Sequence, residues 1–237
     1  MVAMGMILVA SCPGGNISNF ITSISKGNRE LSVSMSAVTT MAAIVTTPAN
    51  FAIWGSLYVG YLNRHAVNAL QTLSIPVWDI FVTVFFLLGV PLVLGILTTR
   101  YLPRLAKALN KPLQFLSILV FLLMVILAFR QNLDLFMRYI KWILLIVFAH
   151  NGAALAAGYF LGELSGLPRP DRRAITIELG IQNSGLGLIL LFNPNIFPPE
   201  LQNGGMLFIT AWWGIWHIIS GLTAAIIFRY RSHKRGE

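Results

Sequence analysis

Glu178 is the one acidic residue placed well inside an apolar segment, within IELGIQNSGLG at residues 177–187. A carboxylate at the centre of a bilayer costs about 3 kcal/mol on insertion scales, so it must face a partner or a wet cavity. Gln182 lies four residues on, on the same helical face. Asn183, Ser184 and Gly185 follow at once. Carboxylate, amide and hydroxyl oxygens are thus offered within about two turns, a donor set that suits a hard cation. A second apolar segment breaks in a related way at SCPGGNISNF, residues 11–20, where Pro13, Gly14 and Gly15 precede Ser18 and Asn19. The segment after it carries Ser32, Ser36, Thr39 and Thr40, which line one helical face with hydroxyls. Plainer readings exist for each feature. Hydroxyl stripes also glue membrane helices together, paired glycines also allow close packing, and a buried glutamate can be a structural partner of an arginine.

These residues need elements to hold them, and composition says which kind. Of 237 residues, 56% are hydrophobic and 11% charged, where a soluble domain carries roughly a quarter charged. The chain reads as an all-α integral membrane protein. Its net charge of +9 comes from basic residues scattered singly between apolar runs, which suits membrane flanks and argues against nucleic acid as a partner. The single cysteine, Cys12, excludes an intrachain disulfide and a cysteine metal cluster, and is expected to pack as a small apolar group. No nucleophile–base pair and no His/Asp/Glu metal spacing stands out, so an enzyme is not expected. MVAMGMILVA lacks a basic stretch, so no cleavable signal peptide is expected.

Seven segments are long enough to cross a hydrocarbon core at about 20 residues each. They are 1–25 (broken), 32–61, 77–99, 113–130, 138–162, 172–192 (broken) and 204–229. Trp54, Trp78, Trp142 and Trp212 fall near proposed ends, as interfacial anchors do, and Pro48 and Pro91 lie inside spans. His150, Asn151 and His217 fall mid-span, with neutral, hydrogen-bonded interior histidines as the expectation. Asn193–Pro194–Asn195 and Pro198–Pro199 mark an exterior turn.

Lysines and arginines separate by side. Lys26, Arg29, Arg100, Arg104, Lys107, Lys111, Arg169, Arg172, Arg173, Arg229, Arg231, Lys234 and Arg235 make 13 on one side, against four (Arg64, Arg130, Arg138 and Lys141) on the other. The bias predicts a cytoplasmic C-terminus and, with seven spans, an outside N-terminus. An outside terminus that begins inside an apolar run reads as the middle of a longer protein. Each break lies in the second-from-last span of its run, and paired interruptions at matching places point to an inverted-repeat transporter.

The stretch CPGGNISNFITSISKGNRELSVSMSAVTT resembles the broken fourth helix, loop and fifth helix of the bile acid:sodium symporter family. The stretch RRAITIELGIQNSGLGLIL, about 150 residues on, resembles that family's broken ninth helix. The resemblance implies a ten-helix inverted-repeat transporter fold of which this chain lacks the first three helices. It implies core-domain helices over 1–61 and 138–229, panel helices over 77–130, and a cytoplasmic basic tail over 230–237. Two coupling sodium ions are implied. The first is expected at Ser18, Asn19, Ser32, Ser36 and Glu178. The second is expected at Glu178, Gln182 and the backbone carbonyls of Leu179 and Ile181, and is incomplete without a glutamine from a missing helix. Ser36 stands where many relatives have Thr. Asn16 replaces a usually small cavity residue, and Pro13, Gly14, Gly15, Asn183 and Ser184 are further cavity candidates beside the breaks.

The function this implies is sodium-coupled symport of an organic anion by alternating access, in a lipid bilayer. The alternatives are a non-transporting remnant or structural subunit that needs the missing helices, and proton coupling through Glu178 on the same fold.

Overall fold

The computed structural model describes residues 1–65, 75–131, 133–198 and 203–234. All regular elements among them are helical: α1 (Val2–Ser11), α2 (Ile17–Ile24), α3 (Arg29–His65), α4 (Val77–Val84), α5 (Val90–Tyr101), α6 (Pro103–Gln131), α7 (Leu133–Leu164), α8 (Arg169–Gly180), α9 (Ser184–Phe192) and α10 (Gly204–Lys234). A π-helical turn, Phe85–Gly89, joins α4 to α5. Among the described residues, five helices are long and apolar enough to cross a membrane, namely Arg29–His65, Val77–Tyr101, Pro103–Arg130, Met137–Leu164 and Gly204–Lys234. The chain is an integral, multi-pass, all-α membrane protein.

Local chemistry sets the helix limits. Cys12 precedes a proline, whose ring disfavours helical backbone at the residue before it; Cys12 is accordingly extended (φ −74°, ψ 152°) and α1 stops at Ser11. The second break runs through Ile181, also extended (φ −111°, ψ 103°), to Asn183, whose side chain accepts from the Leu186 N–H and starts α9. Pro91 falls just past the π turn and sits in the first turn of α5, where a missing N–H is tolerated.

Two bounds and one expected anchor depart most from the sequence reading. The fourth span begins at Pro103 rather than at 113, because a proline at a helix start is favourable and Lys107 and Lys111 ride on an exposed helical extension through Pro112. The basic tail is helical to Lys234, a continuation of α10; Arg235 and the rest of the tail lie outside the described residues, as does Pro199. Trp212 is half-buried. It packs inward with Val9, Ile143 and Phe208, whereas Trp54, Trp78 and Trp142 are exposed.

The core is shared among elements distant in sequence. Met4, Leu8, Phe51, Ile80, Leu188 and Met206 bring α1, α3, α4, α9 and α10 together. Ile21, Ile177, Ile181 and Ala225 join α2, α8 and α10 around the breaks. Phe86, Phe115, Ile126 and Leu145 stay exposed, as a lipid-facing surface requires. At one end of the bundle, the turn between α2 and α3 is tied to α8. Arg173 donates to the carbonyls of Ser25 and Lys26 at 3.1 and 3.3 Å, and Asn28 donates to Asp171 at 2.8 Å. The basic clusters around 26–29 and 169–173 therefore meet in space.

Candidate ion and substrate site

The two breaks meet each other. Gly14 and Gln182 form an isolated antiparallel bridge. The Gly15 N–H donates to the Ile181 carbonyl at 2.8 Å, and the Asn183 N–H donates to the Pro13 carbonyl at 2.8 Å. A helix broken inside a membrane leaves backbone groups that cost several kcal/mol each if unsatisfied; here each break satisfies the other. Two side chains complete the work. Thr47 Oγ1 donates to the Ser11 carbonyl at 2.8 Å, and Asn151 Nδ2 donates to the Gly180 carbonyl at 2.7 Å, so the last carbonyls of α1 and α8 are both capped from a neighbouring helix.

Against this frame stands Glu178, only 5% exposed. Ser18 Oγ donates to its Oε2 at 2.6 Å and Ser36 Oγ donates to its Oε1 at 2.9 Å. Each serine has one proton, and these short bonds take both. The remaining contacts of 3.4 Å, between the two serine oxygens and between Ser36 Oγ and Asn19 Oδ1, therefore bring lone pairs face to face. Ser32 Oγ donates to Asn19 Oδ1 at 2.8 Å and closes the group. All five residues expected at the first ion site are gathered in one place, three of them fully or almost fully buried serines. The donors are all oxygen, which fits a hard monovalent or divalent cation and not a soft metal.

The second set is arranged differently. The Gln182 side chain donates back to the Leu179 carbonyl at 3.2 Å, and the Ile181 carbonyl receives the Gly15 N–H. Each carbonyl keeps one lone pair. Gly14 shows why glycine is needed there: a Cβ would run into Glu178 Oε1. Neither Gly14 nor Gly15 takes a left-handed φ, so close approach, not an opened backbone, is what these glycines supply.

A cavity of about 250 Å³ reaches the crossing and is lined in part by Pro13, Gly14, Thr39, Thr46, Asn50, Glu178 and Gln182. It adjoins a larger cleft of about 670 Å³, sharing Ala10, Ser11 and Asn50, whose walls include Met6, Trp54, Leu57, Tyr58 and His150. Of the cavity candidates, Pro13 and Gly14 line it. Asn16 is exposed at the start of α2, Gly15 and Ser184 are buried outside its lining, and Asn183 is engaged as the cap of α9. Thr39 lines the cavity but bonds the Ser36 carbonyl at 3.2 Å. Thr40 belongs to neither set. The histidines also differ from expectation: Nδ1 of His150 and of His217 has no hydrogen-bond partner, and His150 packs 4.8 Å from the Trp213 ring.

Thr46, Thr47 and Asn50 escaped the sequence reading. The signal was there, since Thr47 continues the face of Ser32, Ser36 and Thr40 by two further turns, and Asn50 is a carboxamide in an apolar run. Asn151 was noticed, but only as a neighbour of His150.

Two crossed half-helix pairs around a hydroxyl-held carboxylate can be compared with known proteins. Along 238 residues the chain is 27% identical to "Uncharacterized sodium-dependent transporter YocS" of Bacillus subtilis (strain 168), covering 99% of this chain and 66% of that protein. It is 30% identical over 189 residues to "Probable sodium/metabolite cotransporter BASS2, chloroplastic" of Oryza sativa subsp. japonica, covering 80% of this chain and 42% of that one. The chain thus spans about two thirds of the first relative's length and about two fifths of the second's. Residues 1–139, which hold the first break and the hydroxyl-bearing α3, match the model of the Sodium Bile acid symporter family. With more than half its length matched, and with its other half-helix pair packed on that stretch, the chain belongs to the sodium bile acid symporter family.

Proposed function

We propose that this chain provides the ion-coupling heart of a sodium-driven symporter for an organic anion, working by alternating access. The observation that carries the proposal is the buried Glu178 carboxylate, whose described hydrogen-bond partners are the hydroxyls of Ser18 and Ser36. Hydroxyls offset part of the lost hydration but bring no charge, and a buried carboxylate is stable only when its charge is met. Sodium, as a transported ion, would be held by Glu178, Ser18, Ser36, Asn19 and Ser32. A second would draw on Glu178, Gln182 and the Leu179 and Ile181 carbonyls. The two hydroxyl contacts hold the Glu178 carboxyl in a fixed orientation toward the crossing.

The substrate reading follows from the two adjoining cavities. The cavity at the crossing offers the hydroxyls of Thr39 and Thr46 and the carboxamides of Asn50 and Gln182 to a head group, whose negative charge would be met by sodium held at Glu178. The apolar cleft with Trp54, Leu57 and Tyr58 suits a hydrophobic body. The names of the relatives, sodium-dependent transporter and sodium/metabolite cotransporter, point the same way. In the ten-helix inverted-repeat scheme, residues 1–61 and 138–229 form the core and 77–130 the moving panel, with the basic end of the bundle in the cytoplasm.

Purified chain in detergent tests the ion-binding step without a known substrate. Thermal unfolding is followed in sodium chloride and in potassium chloride at equal ionic strength. Sodium is expected to raise the midpoint, since ligand at a hundredfold its dissociation constant stabilises by about 2.7 kcal/mol. Glu178→Gln is expected to abolish the difference. Equal midpoints in the two salts for the unaltered chain would sink the proposal.

A further inference from the structure

Four arginines converge on a separate cavity of about 210 Å³ at the basic end of the bundle. Arg169, Arg172 and Arg173 come from the start of α8 and Arg231 from the end of α10, with Tyr159 and Glu163 of α7 beside them. Among the described lining residues, four guanidinium groups stand against one carboxylate. Gathering like charges is unfavourable unless a counter-charge sits among them.

The frame that holds them is rigid. Arg173 is buried, lies 6.0 Å over the Phe228 ring and donates to the Ser25 and Lys26 carbonyls. Arg172 lies 5.6 Å over the Tyr159 ring and donates Nη1 to Glu163 Oε1 at 2.9 Å, while its Nε is buried without an acceptor. Beneath them α7 and α8 pack backbone against backbone: a Cβ on Gly158 would lie 2.8 Å from Thr176 Cα. Arg169 and Arg231 are exposed, on different helices, at the rim. Glu163 is the one acid among the described lining residues. None of these residues lines the crossing or its cleft, so ion and substrate chemistry do not account for them.

Guanidinium forks match the oxygens of a phosphate, and the amides at the start of α8 add to the pull on an anion. Basic pockets between membrane helices at a bundle end are where phosphate head groups bind. We propose that this cavity binds a phosphate group, carried either by an anionic phospholipid or by a free anion, and that the bound group holds α7, α8 and α10 together.

Native mass spectrometry of the purified full chain tests this with phosphatidylglycerol, with phosphatidylcholine as the zwitterionic control, and thermal unfolding is run with inorganic phosphate. Phosphatidylglycerol is expected to be retained in preference to phosphatidylcholine. The double variant Arg169→Gln/Arg231→Gln, which leaves the Arg172–Glu163 pair in place, is expected to bind it about thirtyfold more weakly, the effect of two basic residues at a membrane surface. Glu163→Gln removes the one opposing charge and is expected to bind more tightly. If inorganic phosphate alone raises the unfolding midpoint and displaces the lipid, the source is a free anion; if it does neither while the lipid binds, the source is the lipid. The proposal is overturned if the unaltered chain shows no lipid preference and no phosphate effect, or if the double variant binds as before. Should the double variant lose its helical circular dichroism, Glu163→Gln decides: unchanged or weaker binding overturns the proposal.

Discussion

A carboxylate buried among apolar helices has lost most of its hydration, and two serine hydroxyls restore only part of it. The geometry around Glu178 spends both serine protons on the carboxylate, so the remaining oxygen lone pairs of Ser18, Ser36 and Asn19 are turned toward one another. Removing one donor tests this arrangement. Ser18→Ala deletes the 2.6 Å bond to Glu178, and a hydrogen bond to a charged group contributes about 1.5–3 kcal/mol. Sodium is then expected to act about tenfold more weakly in a thermal-shift titration, at 1.4 kcal/mol per decade. Gly14→Ala tests shape in place of chemistry. Its added methyl meets the Glu178 carboxylate and should remove the sodium response while the chain remains folded, as judged by circular dichroism.

At the scale of elements, the breaks in the two half-helix pairs are stable because their exposed backbone groups are matched. The bridge between Gly14 and Gln182 does part of this, and the caps from Thr47 and Asn151 do the rest. Asn151→Leu leaves the Gly180 carbonyl without its donor, and a polar contact between membrane helices is worth about 1 kcal/mol. The unfolding midpoint is expected to fall by roughly 3 °C in potassium and sodium alike. A loss seen only in sodium would make Asn151 part of the ion site instead of a cap. Thr47→Val should act in the same sense at α1. The capping pattern was only half visible in the sequence. Proline at 13 and glycines at 14 and 15 announce a stop, because chain stiffness and missing side chains act locally. Which distant hydroxyl or amide receives the loose carbonyl depends on how the helices cross.

For the whole molecule, the sorting of charge is the feature with the widest consequence. The basic residues of the α2–α3 turn, of the start of α8 and of the end of α10 gather at one end, joined by Arg173, Asn28 and the arginine-lined cavity. The cytoplasmic placement proposed for that end has a direct labelling test. In a Cys12→Ser background, a cysteine introduced by Arg64→Cys should react with a membrane-impermeant maleimide on intact cells. One introduced by Arg104→Cys should react only after permeabilisation. The opposite pattern would invert the orientation.

Residue types and their spacing determined a good deal here. Apolar runs bounded by single basic residues set the number of helices and most of their limits, since hydrophobic length and proline placement are local properties. Glu178, Ser18, Asn19, Ser32 and Ser36 are each conspicuous in an apolar segment, because polar groups are costly in lipid, but it is the family resemblance that joins them into one expected ion site. The assembled fold decided the rest. Ser18 and Glu178 lie 160 positions apart, and only the crossing of the two breaks shows that Ser18 donates a hydrogen bond to Glu178. The same packing turned Trp212 inward, moved Asn183 from cavity wall to helix cap, and drew four arginines around one cavity. A sequence records what each segment would bury or expose; which segments meet is settled by the packing that satisfies all of them at once.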